Sequence, residues 1–149
     1  MVSRMRFSVS ADERTGVADA VAAAIADRGH EVVALHGALA DGERDDWAWA
    51  SEAAARDVAD GVADHAVVCC WTGTGASIAA NKVAGVRAAL CGDAATAAGA
   101  RTWNDANVLA LSLRAVSRPL LDEILDAWCA GAPSAEPDDR ANVQHLAEI

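Results

Sequence analysis

The sequence predicts an α/β protein, a three-layer α/β/α Rossmann-like sandwich built on a five-stranded parallel sheet. Two observations carry that prediction. Five short apolar runs alternate with Ala-rich segments of helical periodicity along the 149 residues, the pattern of βαβ units whose sheet is covered on both faces. A glycine-punctuated turn, Trp71-Thr72-Gly73-Thr74-Gly75, joins the third apolar run to a helix. Turns of this kind present main-chain N–H groups that can hold a negative charge.

Each element follows from local signals. Arg6 to Ala11 is a short apolar strand that ends at Asp12. Val17, Val21 and Ile25 recur every four residues and mark one face of the first helix, and Gly29 stands where its C-cap is expected. Val32 to Leu35 is the second strand, followed by a polar, Gly-containing loop over residues 37–44. Asp45 or Asp46 caps a helix that runs to about Val62. Ala66 to Cys70 is the third strand, and the helix after the glycine turn spans about Ala76 to Val83. Arg87 to Cys91 is the fourth strand, Asp93 to Trp103 a helix, and Val108 to Leu113 the fifth strand. Pro119 suits the first turn of a helix that reaches about Ala130. Gly131 to Pro137 is rich in breakers, and Asp138 or Asp139 starts a final helix. Residues 1–131 therefore form the sandwich core. Residues 132–149 form a linker and a helix expected to pack on a partner subunit.

Composition narrows the function. A formal net charge of −10 argues against nucleic acid and anionic membrane surfaces as partners, and no apolar run approaches the length of a membrane span. The four cysteines (Cys69, Cys70, Cys91 and Cys129) show no CxxC spacing. With no visible signal peptide, a cytoplasmic location with reduced thiols is expected. The four histidines lack ligand-like spacing, so neither a metal nor another cofactor is expected.

A sheet of this class binds ligands beyond the carboxyl ends of its strands. The residues at those ends are Asp12, Cys70, Asp93 and Arg114, with the 37–49 loop and Trp103-Asn104-Asp105 expected nearby. Cys69 and Cys70 are adjacent on a strand and must point to opposite faces. A thiol acts as a base only as its thiolate, a form that a helix N-terminus favours. Cys70 beside the Gly73–Ser77 amides therefore suggests chemistry that makes and stabilises an oxyanion. Each residue also has a plainer reading. Cys70 can be a small buried hydrophobe, and Asp12 can cap the first helix. Arg114 can pair with surface carboxylates. Trp47, Trp49, Trp71 and Trp103 can line the cleft, Trp47 and Trp49 can instead serve packing at an interface, and Trp128 belongs to the core.

At the level of motifs the chain resembles the type B ribose-5-phosphate isomerase family, which includes the galactose-6-phosphate isomerase subunits. The resemblance rests on Thr72-Gly73-Thr74-Gly75-Ala76-Ser77-Ile78-Ala79-Ala80-Asn81-Lys82. It continues through Gly85-Val86-Arg87-Ala88-Ala89-Leu90-Cys91 and Asn104-Asp105-Ala106-Asn107-Val108-Leu109-Ala110-Leu111. The resemblance implies a metal-free aldose–ketose isomerase that moves a proton between neighbouring carbons through an enediolate. It also implies a homodimer with shared active sites, with a tetramer as the alternative assembly. Cys70 falls on the catalytic cysteine, Thr72 on the threonine that assists it, and residues 73–77 on the anion hole, including Thr74 and Ala76. Asp12 and Asn104 match substrate-contacting positions, and Arg114 is kept.

The departures bear on the substrate. Asp12-Glu13 stands for the family's Asp-His, Trp71 for a glycine, Trp103 for a histidine credited with ring opening, and Ala48-Trp49 for a His-Tyr pair. Asp138 and Asn142 occupy the places of two phosphate-binding arginines, with Arg140 between them. Losing charge-assisted contacts worth roughly 1.5–3 kcal/mol each weakens binding of a phosphate dianion. The expected substrate is thus a small carbohydrate-like molecule other than simple ribose 5-phosphate. Glu13, Trp71 and Trp103 join Asn104 and Arg114 in contacting it, and Asp12 or Glu13 takes over ring opening. The competing readings are a small-ligand-binding protein of the same fold that does not isomerise, and an enzyme using the enediolate for epimerisation.

Overall fold

The computed structural model describes residues 3–149. Five strands, β1 (Arg6–Ala11), β2 (Glu31–Gly37), β3 (His65–Cys70), β4 (Ala88–Leu90) and β5 (Val108–Ser112), form one sheet in the order β2-β1-β3-β5-β4, every pair parallel. The connections are a short 3-10 turn (Ala18–Ala20) leading into α1 (Val21–Asp27), then α2 (Trp47–Ala59), α3 (Thr74–Asn81) and α4 (Ala94–Asn104). Helix α5 (Arg118–Ala130) follows β5, and α6 (Pro137–Leu146) closes the chain.

Alternation along the strands divides the core between the two faces of the sheet. Phe7, Val9, Ala11, Val67, Cys69, Leu109 and Leu111 pack with α1, α4 and α5, where Trp128 is fully buried. On the other face Ala66, Val68, Cys70, Val108 and Ala110 meet Ala54 and Ala55 of α2 and Ala76 and Ala80 of α3. The small alanines let these two helices approach the sheet closely. Cys69 and Cys70 accordingly face opposite sides.

The topology fixes where a crevice opens. The chain leaves β1 over the α1 face and leaves β3 over the α3 face, although β1 and β3 are neighbours. Strands whose outgoing connections diverge in this way part at their carboxyl ends, where ligands bind in open α/β sheets. Asp12 follows β1 and Cys70 ends β3, so this switch point brings them together.

Several boundaries differ from the sequence reading. β2 is longer than Val32–Leu35, and β4 is shorter than Arg87–Cys91. Helix α2 stops at Ala59 rather than Val62, and α3 is shifted two residues earlier, beginning at Thr74. Asp46 occupies the N-cap of α2 without capping it, because its carboxylate pairs with Arg44 Nε at 2.6 Å. Asp12 caps no helix, since the first turn begins only at Ala18. Helix α6 starts at Pro137, the favoured first-turn position for proline, ahead of Asp138 and Asp139. It buries none of its residues and rests against the C-terminal end of α4, with Ser134 N–H donating to the Thr102 carbonyl at 2.7 Å.

Candidate active site

Cys70 and the turn that follows it form the centre of the site. Gly73 adopts a left-handed backbone (φ 78°) and is the N-cap of α3. A side chain there would lie 2.5 Å from Leu90 Cδ1 and 2.9 Å from the Leu111 carbonyl carbon, so both conformation and space require glycine. The bend turns the first N–H groups of α3 back toward the strand end. Gly73 N–H donates to Cys70 Sγ at 3.2 Å and Ala76 N–H donates to the same sulfur at 3.4 Å. The Ser77 amide bonds the Gly73 carbonyl. Of the five amides expected to form an anion cradle, only those of Thr74 and Gly75 keep no partner among the described residues. Two amides serve the sulfur and two remain for a ligand oxygen.

The other thiols differ in kind. Burial pushes Cys69 up to about 12, and burial likewise pushes Cys91 and Cys129 up to about 11. These three are held neutral in the core. Cys70 alone among them is met by a pair of main-chain donors at a helix start.

Asp12 lies beside this centre. Its N–H donates to the Cys69 carbonyl at 3.2 Å, carrying the β1–β3 ladder one residue past the strands. Its Oδ1 is buried without a hydrogen-bond partner. Burial, and then the nearby charges of Glu13 and Asp45, raise its pKa above the usual carboxylate value. Glu13 is exposed on the same loop. On the other flank of β3 the ladder with β5 also continues beyond the strands. The Trp71 carbonyl accepts from Arg114 N–H at 3.0 Å and from Ser112 Oγ at 3.0 Å. Trp71 and Arg114 are thus neighbours on the rim, and no carboxylate among the described residues pairs with Arg114. The Thr72 and Thr74 hydroxyls are 2.8 Å apart.

Trp47, at the first position of α2, packs on the same turn. A Cβ at Gly75 would lie 2.9 Å from its Cε3 and 3.0 Å from its Cδ2. The indole therefore packs directly over Gly75, a contact that the sequence does not advertise because the two residues are far apart in the chain. Trp49 carries the Arg44 guanidinium 3.4 Å above its ring.

Trp103 and Asn104 are not brought to Cys70 within one chain, which corrects the expectation that they lie near the strand ends. They close α4, whose following residues lead into the start of β5. Asp105 accepts from Arg87 Nε just before β4, and the Asn107 carbonyl accepts from the first N–H of the β3–β5 ladder. Cys70 sits at the far end of β3, a strand length of roughly 15 Å away. Trp103 instead faces an open groove of about 580 Å³ beside α6, with Thr102, Asp105, Asp139, Arg140 and Gln144. No group of three or more His, Cys, Asp or Glu side chains among the described residues is placed to hold a metal ion. No helix among them is long and apolar enough to cross a membrane.

A doubly wound parallel sheet with a donor-bound cysteine at its switch point defines an α/β protein with a strand-end reaction or binding centre. Residues 8–146 match the family described as Ribose/Galactose Isomerase, and the chain belongs to that family. It is 44% identical over 86 residues to ribose-5-phosphate isomerase B of Escherichia coli (strain K12), covering 58% of this chain and 58% of that protein. It is 37% identical over 98 residues to galactose-6-phosphate isomerase subunit LacB of Clostridium acetobutylicum, covering 66% of this chain and 57% of that one. These alignments span less than two thirds of either relative. The fold match is wider. Ribose-5-phosphate isomerase B of Clostridium thermocellum superposes with a TM-score of 0.86 at 34% identity, covering 97% of both chains. The type B enzyme of Trypanosoma brucei gives 0.87 at 32%, covering 98% of this chain and 99% of that one.

Proposed function

We propose that the protein is an aldose–ketose isomerase working through an enediolate, with Cys70 as the base. The observation that carries this reading is the pair of N–H groups, from Gly73 and Ala76, directed at one sulfur at the start of α3. Two N–H donors at the sulfur can share the negative charge it carries once its proton has left. The thiolate removes the proton from the carbon next to the carbonyl. The developing oxyanion rests on the free Thr74 and Gly75 amides, an arrangement of the oxyanion-hole type. The proton then goes to the former carbonyl carbon, while the proton of the adjacent hydroxyl passes to the oxyanion, so that carbonyl and hydroxyl exchange places. Thr72, whose hydroxyl lies 2.8 Å from that of Thr74, assists Cys70. Asp12, kept protonated longer than an ordinary carboxylate, supplies the acid that opens the sugar ring.

The substrate is a sugar or sugar derivative rather than simple ribose 5-phosphate. Glu13 and Asp45 place carboxylates around the crevice beside Asp12, and Arg114 stands on its rim. That balance disfavours a phosphate dianion. Trp47 and Trp71 offer apolar faces against which sugar C–H groups stack. The relatives named above act, by their names, on sugar phosphates, so the comparison is direct. Turnover of ribose 5-phosphate is measured beside unphosphorylated pentoses and tetroses. Preference for the latter supports the reading, and efficient use of the phosphate ester overturns it.

Two copies complete the site in this reading. A homodimer sets the Trp103–Asn104 edge of one chain, with α6, against the Cys70 edge of the other. The separation of those edges within a single chain and the wholly unburied α6 support it. The presence of Trp103 where an imidazole is expected favours the second reading, a ligand-binding protein that does not isomerise. Solvent deuterium entering the substrate's carbon separates the two.

A further inference from the structure

We propose that His36 is a positioning residue of the cleft: bridging Glu43 and Asp57 as an imidazolium, it fixes the 38–46 loop and with it the start of α2, from which Trp47 packs over Gly75. The inference concerns the cleft wall and stands whether or not Cys70 is the base.

The geometry is a two-sided clamp. His36 Nδ1 lies 2.9 Å from Glu43 Oε1 on the loop, and His36 Nε2 lies 2.7 Å from Asp57 Oδ2 on α2. Ser8 Oγ on β1 donates to the same Asp57 oxygen at 2.8 Å. A neutral imidazole has one N–H and can satisfy only one of the two carboxylates. The cation donates to both. Burial opposes the charge, but Glu43 and Asp57 outweigh it and hold the His36 pKa above its ordinary value. The charged groups that contact the ring are Glu43 from the loop and Asp57 from α2; on β1 the register partner of His36 is the neutral Ser10, and the Ser8 hydroxyl bonds Asp57.

The start of the loop is also held by Leu39, which packs partly buried against the core. Ala38 N–H donates to the Ala11 carbonyl at its start, and at its end Arg44 pairs with Asp46 and covers Trp49. Beyond Leu39, Glu43 is the loop side chain that bonds back to the sheet, through His36. When His36 loses its proton, one carboxylate faces a ring lone pair and that tether weakens. The loop runs directly into Trp47, so the loosening reaches the first turn of α2 and stops at the buried Ala50. Proton loss from one side chain is thereby converted into a looser cleft.

Amide hydrogen exchange of the segment from Ala38 to Ala50, corrected for intrinsic rates, is followed between about pH 5.5 and 8.5. The expected result is a rise on the order of tenfold with a midpoint above about 6.5, while the His65–Cys70 strand shows no such step. Glu43→Gln lowers the midpoint and shrinks the step. His36→Gln gives fast, pH-independent exchange in the loop. Glu43 is a surface side chain, so Glu43→Gln decides the matter even if His36→Gln fails to fold. A wild-type loop without a pH step, or a Glu43→Gln profile identical to wild type, overturns the proposal.

Discussion

The main-chain N–H of Gly73 points at the sulfur of Cys70 across 3.2 Å. That contact joins the two halves of the site, the strand end that carries the thiol and the helix start that carries the amides. It exists because Gly73 takes a left-handed backbone in a space bounded by Leu90, Leu111 and Ser112.

Gly73→Ala therefore strains the turn in two ways. The left-handed conformation costs a non-glycine residue about 1–3 kcal/mol, and the new Cβ collides with the Leu111 main chain, which cannot swing aside. We expect a loss of stability of that size in urea unfolding. The rate of any isomerisation should fall by on the order of 10² or more, the usual cost of misplacing an oxyanion donor.

Gly75→Ala acts on the wall. Its Cβ would stand within about 3 Å of the Trp47 ring, while its backbone needs no special conformation. The ring must swing out, so the expected outcome is small in stability, under about 1 kcal/mol, and larger in substrate preference. Comparison of KM across sugars of different length checks it: a raised KM with little change in kcat is expected.

Thiol reactivity should be uneven. Cys69, Cys91 and Cys129 are raised by burial to about 12, 11 and 11, so near neutral pH they stay protonated and inert. Brief treatment with iodoacetamide followed by peptide mass mapping is expected to label Cys70 first. Labelling of the other three at equal rates would contradict the arrangement.

Stability should fall on the acid side. His65 is 7% exposed and accepts a hydrogen bond from Trp128 Nε1 at 3.3 Å. Burial and then Arg101 lower its pKa to about 4, whereas the unfolded chain titrates near 6.5. Between those values the unfolded state binds more protons, so stability decreases as pH falls from about 6.5 to about 4 by on the order of 3 kcal/mol. His36 contributes the opposite slope, since its raised pKa is worth stability that is lost as pH rises above about 6.5. Urea midpoints across this range should peak near the crossover, and His65→Gln should flatten the acid limb.

Much of this was legible in the sequence. Strand β1 begins and ends where its apolar run does, because both its neighbours are strands and its residues alternate between two buried faces. Cys70 and Gly73 were legible because a turn of that tightness leaves a glycine signature. Trp47 against Gly75 and His36 between Glu43 and Asp57 were not, since each joins residues from different elements and no periodicity records such a meeting. Trp103 and Asn104 were legible as residues of interest but not in place. Their position follows from α4 running antiparallel to the strands, which carries its last turn away from the strand end that holds Cys70. The Gly73 and Ala76 amides looked available to a ligand in the sequence, and only the folded turn shows that the sulfur takes them.

The central claim is that Cys70 moves the proton, and solvent exchange tests it most directly. In deuterium oxide the wild-type protein should place deuterium on the carbon next to the carbonyl of the sugar it turns over. In Cys70→Ser, with folding verified, that wash-in should drop by on the order of 10²–10⁴, the usual contribution of a positioned base. Exchange that persists undiminished in Cys70→Ser would contradict the account and assign the proton transfer to another group.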